Sequence, residues 1–421
     1  MGKKYRIIVA HPGKQHSYQT IKALNRKDIE LTYITTVYDK SNSLTGKFKN
    51  LFLKGDNLKR ANSRVCSWIE NKNVVQFCEL SALFTLLLLR IDKSKRIYRL
   101  WNDLVFERFG KKVAKYAIKE KADMVIMYDA NAKRCFEYLA QKAPFIKRVL
   151  DVSIAARPYQ KNIYQKNIEL TGLDGLKKEQ IFLWNENRQK YYRKEIELSN
   201  FFMCPSEFVK RSLIFCGVKE SQILHAPYGV QVERFSYCPR KVKSGPLRMV
   251  MAGQVNYRKG FHHIINVLER FTSEEVQLVI FGSDSSRDSF LEAHKNLSNI
   301  EYRGFVTQDK MIEEYKHADI YVFPSLCEGL SLSVLEAMSC GLPVLLSDHS
   351  GANDVVKNQV NGLVFSAGND DQFEACIRWY MNNRDKLLYM GEEARKTAMT
   401  YSWENYYENY YEHIKRIMNE N

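Results

Sequence analysis

The sequence predicts an α/β protein made of two doubly wound parallel sheets, and three observations predict it. Short β-branched and aromatic runs alternate with longer helical stretches, the pattern of parallel strands joined by crossover helices. The alternation occurs twice, on either side of Cys238-Pro239-Arg240-Lys241-Val242-Lys243-Ser244-Gly245-Pro246, a segment rich in turn formers and cations. A chain of 421 residues is also long for one hydrophobic core and comfortable for two.

In the first set, strands are expected at 5–11, 30–36, 123–128, 148–152 and 200–204, with helical stretches such as 104–120 and 178–198 between them. The segment 238–246 reads as the linker that closes a first domain over 1–237. The second domain, 247–400, repeats the pattern with strands at 248–252, 276–281, 300–304, 320–323 and 343–347. Residues 401–421 then form an aromatic helix carrying Tyr406, Tyr407, Tyr410 and Tyr411.

Charge is divided unevenly between the halves. Residues 241–421 hold 19 Lys and Arg against 25 Asp and Glu, a net of −6, while the remaining 45 against 23 give residues 1–240 a net of +22. An excess confined to one domain points to a polyanionic partner there, either an anionic membrane surface or a phosphate-bearing acceptor; a solvated basic face is the alternative. Zinc-finger spacing and aromatic RNA-binding motifs are missing, so no nucleic-acid partner is expected.

The nine cysteines show neither CxxC nor His/Cys ligand spacing, and several sit in apolar runs, as reduced core cysteines do. With 7–10 too short for a secretory core and 80–89 half the roughly 20 residues needed to span a bilayer, a cytoplasmic protein, peripheral at most, is expected. Residues 47–54 mix cations with apolar residues in a way that suits an interfacial helix, and Leu83, Leu86, Leu87 and Leu89 read as one face of a core helix.

The chemistry concentrates in 323–343, FPSLCEGLSLSVLEAMSCGLP, where Glu328 and Glu336 straddle a strand-to-helix turn. A helix start presents backbone N–H groups without intrahelical partners and partial positive charge, so the turn at Gly329, Leu330 and Ser331 is suited to a phosphate, and Gly329 to its close approach. Carboxylates on either side accept hydrogen bonds from sugar and ribose hydroxyls. For Glu336 a capping box with Ser333 is the other reading. Arg258 and Lys259 precede Gly260 in the loop after the strand ending at Gly253, which brings two cations to the carboxyl end of the second sheet. Asp-x-Asp does not occur, so neither a metal nor a cofactor is expected.

Together with Ser206-Glu207-Phe208-Val209-Lys210, Pro227-Tyr228-Gly229-Val230, Gly304-Phe305-Val306 and Asn361-Gly362-Leu363-Val364-Phe365, these motifs resemble the retaining glycosyltransferases of family 4, among the glycosyl transferases group 1. The resemblance runs through the second half of the chain. It implies the GT-B fold, two Rossmann-like domains facing a central cleft, with the last helix crossing back to the first domain. It implies transfer of a hexose from a nucleotide diphosphate sugar of UDP or GDP type to a glycan or lipid-linked acceptor, in surface polysaccharide or glycoconjugate synthesis. By resemblance Lys259 and Arg258 stabilise the leaving diphosphate, Glu328 holds the donor sugar, Glu336 the ribose and Val306 the base, with Gly253, Gly329, Leu330 and Ser331 lining the donor site. The sequence has Gln254 where many relatives carry Arg, and Gln231 where Asp is usual. On the acceptor side the first turn offers Gly13 and His16, and Asp129-Ala130-Asn131 stands where a histidine is common. A GT-B epimerase or hydrolase, and a non-catalytic glycan or nucleic-acid binding protein, are the competing readings.

Overall fold

The computed structural model describes residues 4–52, 54–239, 244–284 and 290–420. Its first sheet has seven strands: β1 (Tyr5–Ala10), β2 (Ile29–Thr35), β3 (Val74–Gln76), β4 (Met124–Tyr128), β5 (Lys147–Asp151), β6 (Phe201–Cys204) and β7 (Ile223–His225). The spatial order is β3-β2-β1-β4-β5-β6-β7, and every neighbouring pair is parallel. The second sheet contains β8 (Leu247–Ala252), β9 (Val276–Phe281), β10 (Ile300–Tyr302), β11 (Ile320–Phe323), β12 (Val344–Ser347) and β13 (Gly362–Phe365). Its order is β10-β9-β8-β11-β12-β13, again all parallel.

The central strands are apolar without alternation because helices cover both faces; all five residues of β4 and all four of β11 are buried. Strand order reverses between β1 and β4 in one sheet and between β8 and β11 in the other. Ligands of open parallel sheets bind outside the carboxyl ends of the strands at such switch points. The loops that follow these four strands are therefore where chemistry is expected.

The last helix, Trp403–Asn419, starts at Ser402, whose side chain accepts from the Asn405 N–H. It packs on the helix Ser17–Leu24 of the first domain. Its tyrosines make the attachment: Tyr407 donates to Gln19 (2.5 Å), Tyr411 to Asp28 (2.8 Å) and Tyr410 to the buried Asp151 (3.1 Å).

Several sequence expectations change. Strands β3, β7 and β13 were not anticipated, two of them being only three residues long. The stretch 178–198 is not one helix; it divides into Gly175–Glu179, a 3-10 turn Ile181–Trp184 and Glu186–Glu197, because Asn185 turns its side chain to cap Arg188 N–H. In the helix Glu79–Ile91 the buried face is Ala82, Thr85 and Leu88, whereas Leu87 and Leu89 are exposed and Leu83 and Leu86 half-buried. Of the expected linker, 240–243 lie outside the described residues. The expected interfacial segment 47–54 forms part of a helix, Leu44–Phe52, whose Lys49 turns inward to pair with Asp39; Leu53 and the side chains of 48 and 50–52 lie outside the described residues. Among the described residues no helix is long and apolar enough to cross a membrane.

Candidate active site

The loop after β8 is shaped by Gly260, whose φ of +76° favours glycine and whose missing side chain accommodates the Pro324 carbonyl, 2.0 Å from where a Cβ would sit. That close approach locks the β8 loop against the β11 loop. The Arg258 carbonyl accepts from the Leu326 N–H (2.9 Å) and lies 3.1 Å from Ser325 Oγ, so the two segments form one unit.

Three donors converge on a single oxygen, Glu328 Oε1: the Arg258 guanidinium, Lys259 Nζ at 2.6 Å and Ser325 Oγ at 3.1 Å. Arg258 Nη1 also donates to the Cys327 carbonyl (3.1 Å), and Lys259 Nζ lies 4.7 Å from the Phe323 ring centre. The three charged side chains are only 13–19 % exposed. Burial works against the Glu328 carboxylate, but the two cations outweigh it and hold its pKa below the usual value. Burial lowers the Lys259 pKa despite Glu328, whereas for Arg258 the adjacent carboxylate outweighs burial and raises it. The result is a preorganised pair of cations with one counter-charge between them.

Glu336 sits on the helix Leu332–Ser339. The capping-box alternative does not hold: the cap is Ser331, with no side-chain cap bond, and Ser333 instead accepts from the Tyr321 hydroxyl (2.8 Å). Glu336 accepts from Gln308 Nε2 (3.2 Å), and burial pushes its pKa up to about 7. Both carboxylates act on the buried Tyr321 phenol, whose pKa burial and their charges raise. Val306 is half-buried after β10, beside Phe305, which is 88 % exposed. Gly253, with φ of +155°, ends β8 beside Lys259 and Phe323. Leu330 and Ser331 are buried at the helix start.

Gly329 has a different neighbour from the one its sequence suggested. A Cβ there would lie 1.9 Å from the Ser153 carbonyl of the first domain, so its open side takes up a domain–domain contact. Ser206 Oγ donates to the Gly329 carbonyl (2.6 Å) across the same junction.

The first domain contributes the loops after β1, β4 and β5. Gly13 donates its N–H to His11 Nδ1 (2.8 Å), and burial pushes the His11 pKa down to about 4, leaving a neutral imidazole. His16 Nε2 lies 2.9 Å from Asp151 Oδ1 and 3.5 Å from the Tyr228 hydroxyl, and its side chain is 13 % exposed. Asn131 donates to the Asp129 carbonyl (3.2 Å), and its Oδ1 is buried with no hydrogen-bond partner. Asp129 was named only as part of Asp129-Ala130-Asn131, and Ser153, Arg157 and Glu195 were not among the residues singled out by pattern. Asp129 Oδ1 accepts from Ser153 N–H (3.0 Å) and Oγ (2.7 Å), while Oδ2 faces Arg157 at 3.5 Å. Glu195 accepts from the N–H groups of Ala130, Ala132 and Lys133, which fixes the loop around the left-handed Ala130. The signal for Asp129 and Ser153 was their position just beyond β4 and β5, at the carboxyl edge of the sheet. Glu195 had no such signal, because it reaches the loop from a helix 63 residues along the chain.

Among the described residues, no group of three or more His, Cys, Asp and Glu side chains is placed to hold a metal ion.

This architecture, two parallel Rossmann-like sheets with facing carboxyl ends and a returning terminal helix, is the GT-B fold. Residues 239–397 match the family model described as Glycosyl transferases group 1, so the second domain carries that family's signature. An uncharacterized glycosyltransferase of Methanocaldococcus jannaschii is 29 % identical over 162 residues, 37 % of this chain and 42 % of the relative. The chain spans about half the length of the curated relatives it matches. Over nearly the whole chain the fold is similar to sucrose-phosphate synthase from Thermosynechococcus elongatus (TM-score 0.66, 15 % identity, 98 % of this chain and 99 % of that one). It is likewise similar to Anabaena HepE in complex with UDP-glucose (TM-score 0.61, 13 % identity, 98 % and 99 %).

Proposed function

We propose that the chain is a retaining, metal-independent glycosyltransferase that moves a hexose from a UDP- or GDP-type sugar to a glycan or lipid-linked acceptor. The observation that carries this reading is the convergence of Arg258 and Lys259 on Glu328 at the switch point of the second sheet. The family match over 239–397, and a fold neighbour that holds UDP-glucose, support a sugar nucleotide as the donor.

In this reading the C1–O bond to the leaving diphosphate breaks while Arg258 and Lys259 face the growing negative charge. Such preorganised donors typically contribute about 10²–10³ in rate each. Because Arg258, Lys259 and Ser325 all bond Glu328 through Oε1, its Oε2 is the oxygen that accepts from a donor-sugar hydroxyl. Glu336 takes the ribose hydroxyls, Val306 meets the base through its backbone, and the Leu330–Ser331 helix start receives a phosphate. The departing phosphate accepts the proton of the acceptor hydroxyl as that oxygen bonds to C1 from the same face, so the configuration is retained and no protein nucleophile is used. The basic first domain faces an anionic membrane surface or acceptor, on the cytoplasmic side.

The test is thermal stabilisation by UDP, GDP, ADP and CDP and their common sugars, repeated on Glu336→Ala, followed by product analysis with the donor so found. A ligand at a hundred times its dissociation constant adds about 2.7 kcal/mol. A shift with one nucleotide, lost in the variant, supports the reading; no shift in a folded sample sinks it.

A further inference from the structure

The backbone that presents Arg258 and Lys259 is held from both domains. Within the second domain, the Lys259 N–H donates to Asn256 Oδ1 (2.9 Å) and the Gly260 N–H to the Tyr257 carbonyl (2.9 Å). From the first domain, Glu179 Oε1 accepts from the Tyr257 N–H (2.9 Å), and its Oε2 faces the Arg258 N–H at 3.4 Å. One carboxylate therefore serves two adjacent N–H groups of the loop, one of them that of Arg258 itself.

Glu179 is brought there by a fitted contact. It ends the short helix Gly175–Glu179, which packs against Arg157–Thr171 and the turn Ile181–Trp184 of the first domain through the buried Leu176. Gly175 leaves room for Tyr257, since a Cβ there would fall 1.9 Å from the tyrosine ring. The Tyr257 ring is itself buried, with ring centres of His262 and Phe290 at 5.0 and 4.5 Å. The helix of one domain and the loop of the other thus interlock at Tyr257, which sets the Glu179 carboxylate under the N–H groups of residues 257 and 258. All four of these loop N–H contacts are present only while the domains touch. If the domains part, Tyr257 and Arg258 lose the carboxylate that holds their backbone.

We infer that Glu179 is a positioning residue for transfer: it fixes the backbone from which Arg258 and Lys259 reach the leaving diphosphate, and so ties the order of that cation pair to closure of the domains. The inference rests on the transferase reading above and adds a first-domain residue to it. The experiment compares Glu179→Ala, Glu179→Gln and Asp354→Ala with the parent, each as the full chain. Asp354 is the matched control, a carboxylate that accepts a backbone N–H across the same junction but from Glu207, at the start of the helix Glu207–Phe215 (2.6 Å). Steady-state kinetics use the sugar nucleotide that stabilises the parent, and mass spectrometry follows hydrogen exchange of the peptide 255–261 without ligand. Misplacement by about 1 Å can cost on the order of 10²-fold in rate, so Glu179→Ala should lower kcat about tenfold or more. Donor KM should change less, by about twofold, because the charge facing Arg258 and Lys259 grows as the bond to the diphosphate breaks. Glu179→Gln keeps a carbonyl oxygen for the Tyr257 N–H and should recover part of the rate, with loop exchange quickening in the order parent, Gln, Ala. Asp354→Ala should leave kcat and loop exchange unchanged. A Glu179→Ala kcat within about twofold of the parent overturns the inference, as does loop exchange that Glu179→Ala leaves unaltered. An equal fall in kcat for Asp354→Ala also overturns it, since the effect would then belong to domain contact in general. If no sugar nucleotide gives product with the parent, the transferase reading falls, while the exchange comparison still decides whether Glu179 holds the loop.

Discussion

Glu328→Gln isolates the charge arrangement at the heart of the site. Glutamine keeps the shape and an acceptor for Ser325 Oγ, but it removes the one counter-charge that, among the described residues, Arg258 and Lys259 share. Breaking a buried pair by removing one partner costs about 3–5 kcal/mol, and with 13–19 % exposure the lower end applies. At roughly 2–4 °C per kcal/mol for a domain of this size, the ligand-free protein should unfold about 6–12 °C lower. A nucleoside diphosphate restores negative charge to the same two cations, so it should stabilise the variant more than the parent. Differential scanning fluorimetry with and without UDP or GDP reads both quantities. The native pKa of Glu328 is depressed, so its contribution is present above the unfolded-state value near 4.5 and is lost as pH falls through the native one. The stability gap between parent and variant should therefore narrow in acid. A variant as stable as the parent without ligand, or one that nucleotide stabilises less, would refute this account of the site.

Four further outcomes are expected. The Glu336 pKa is raised to about 7, so its buried carboxylate costs stability progressively as pH rises from about 4.5 to 7; Glu336→Gln should raise the melting temperature at pH 8 and leave it unchanged at pH 4, as a pH series of melts would show. Gly329→Ala places a Cβ 1.9 Å from the Ser153 carbonyl and should part the domains, seen as a larger radius of gyration in small-angle scattering with helix content unchanged. Tyr410→Phe removes a donor to a buried carboxylate and should cost about 1.5–3 kcal/mol in urea unfolding. Product formation by the enzyme should be the same in EDTA as in magnesium, which a coupled diphosphate-release assay would measure.

The central strands were equally legible in both domains: β1, β2, β4, β5 and β6 were found to within a residue. β8, β9, β11 and β12 were likewise found to within a residue, because strands buried on both faces are continuous apolar runs bounded by Gly and Pro. The pair Arg258–Lys259 and the two glutamates were visible for the same reason, each lying a fixed step beyond a recognisable strand. β3 and β7 escaped because a three-residue edge strand has no period to detect. The first-domain loops were harder still. What holds Asp129-Ala130-Asn131 is Glu195, and what faces Gly329 is Ser153, partners distant in sequence that no local pattern links. The apolar helix Glu79–Ile91 misled for the opposite reason: apolar on most sides, it gives no clue to which side the core will choose.

The terminal helix also makes the order of synthesis matter. Spatially, the first domain consists of 4–225 and Trp403–Asn419, so the second domain is an insertion within it. As the chain emerges from a ribosome, Thr20, Asp28 and Asp151 have their other neighbours long before Tyr406, Tyr411 and Tyr410 exist to cover them. The first domain must wait, with that side wet, through nearly two hundred residues of a second folding unit. Its completion therefore reports that the domain inserted within it has been made.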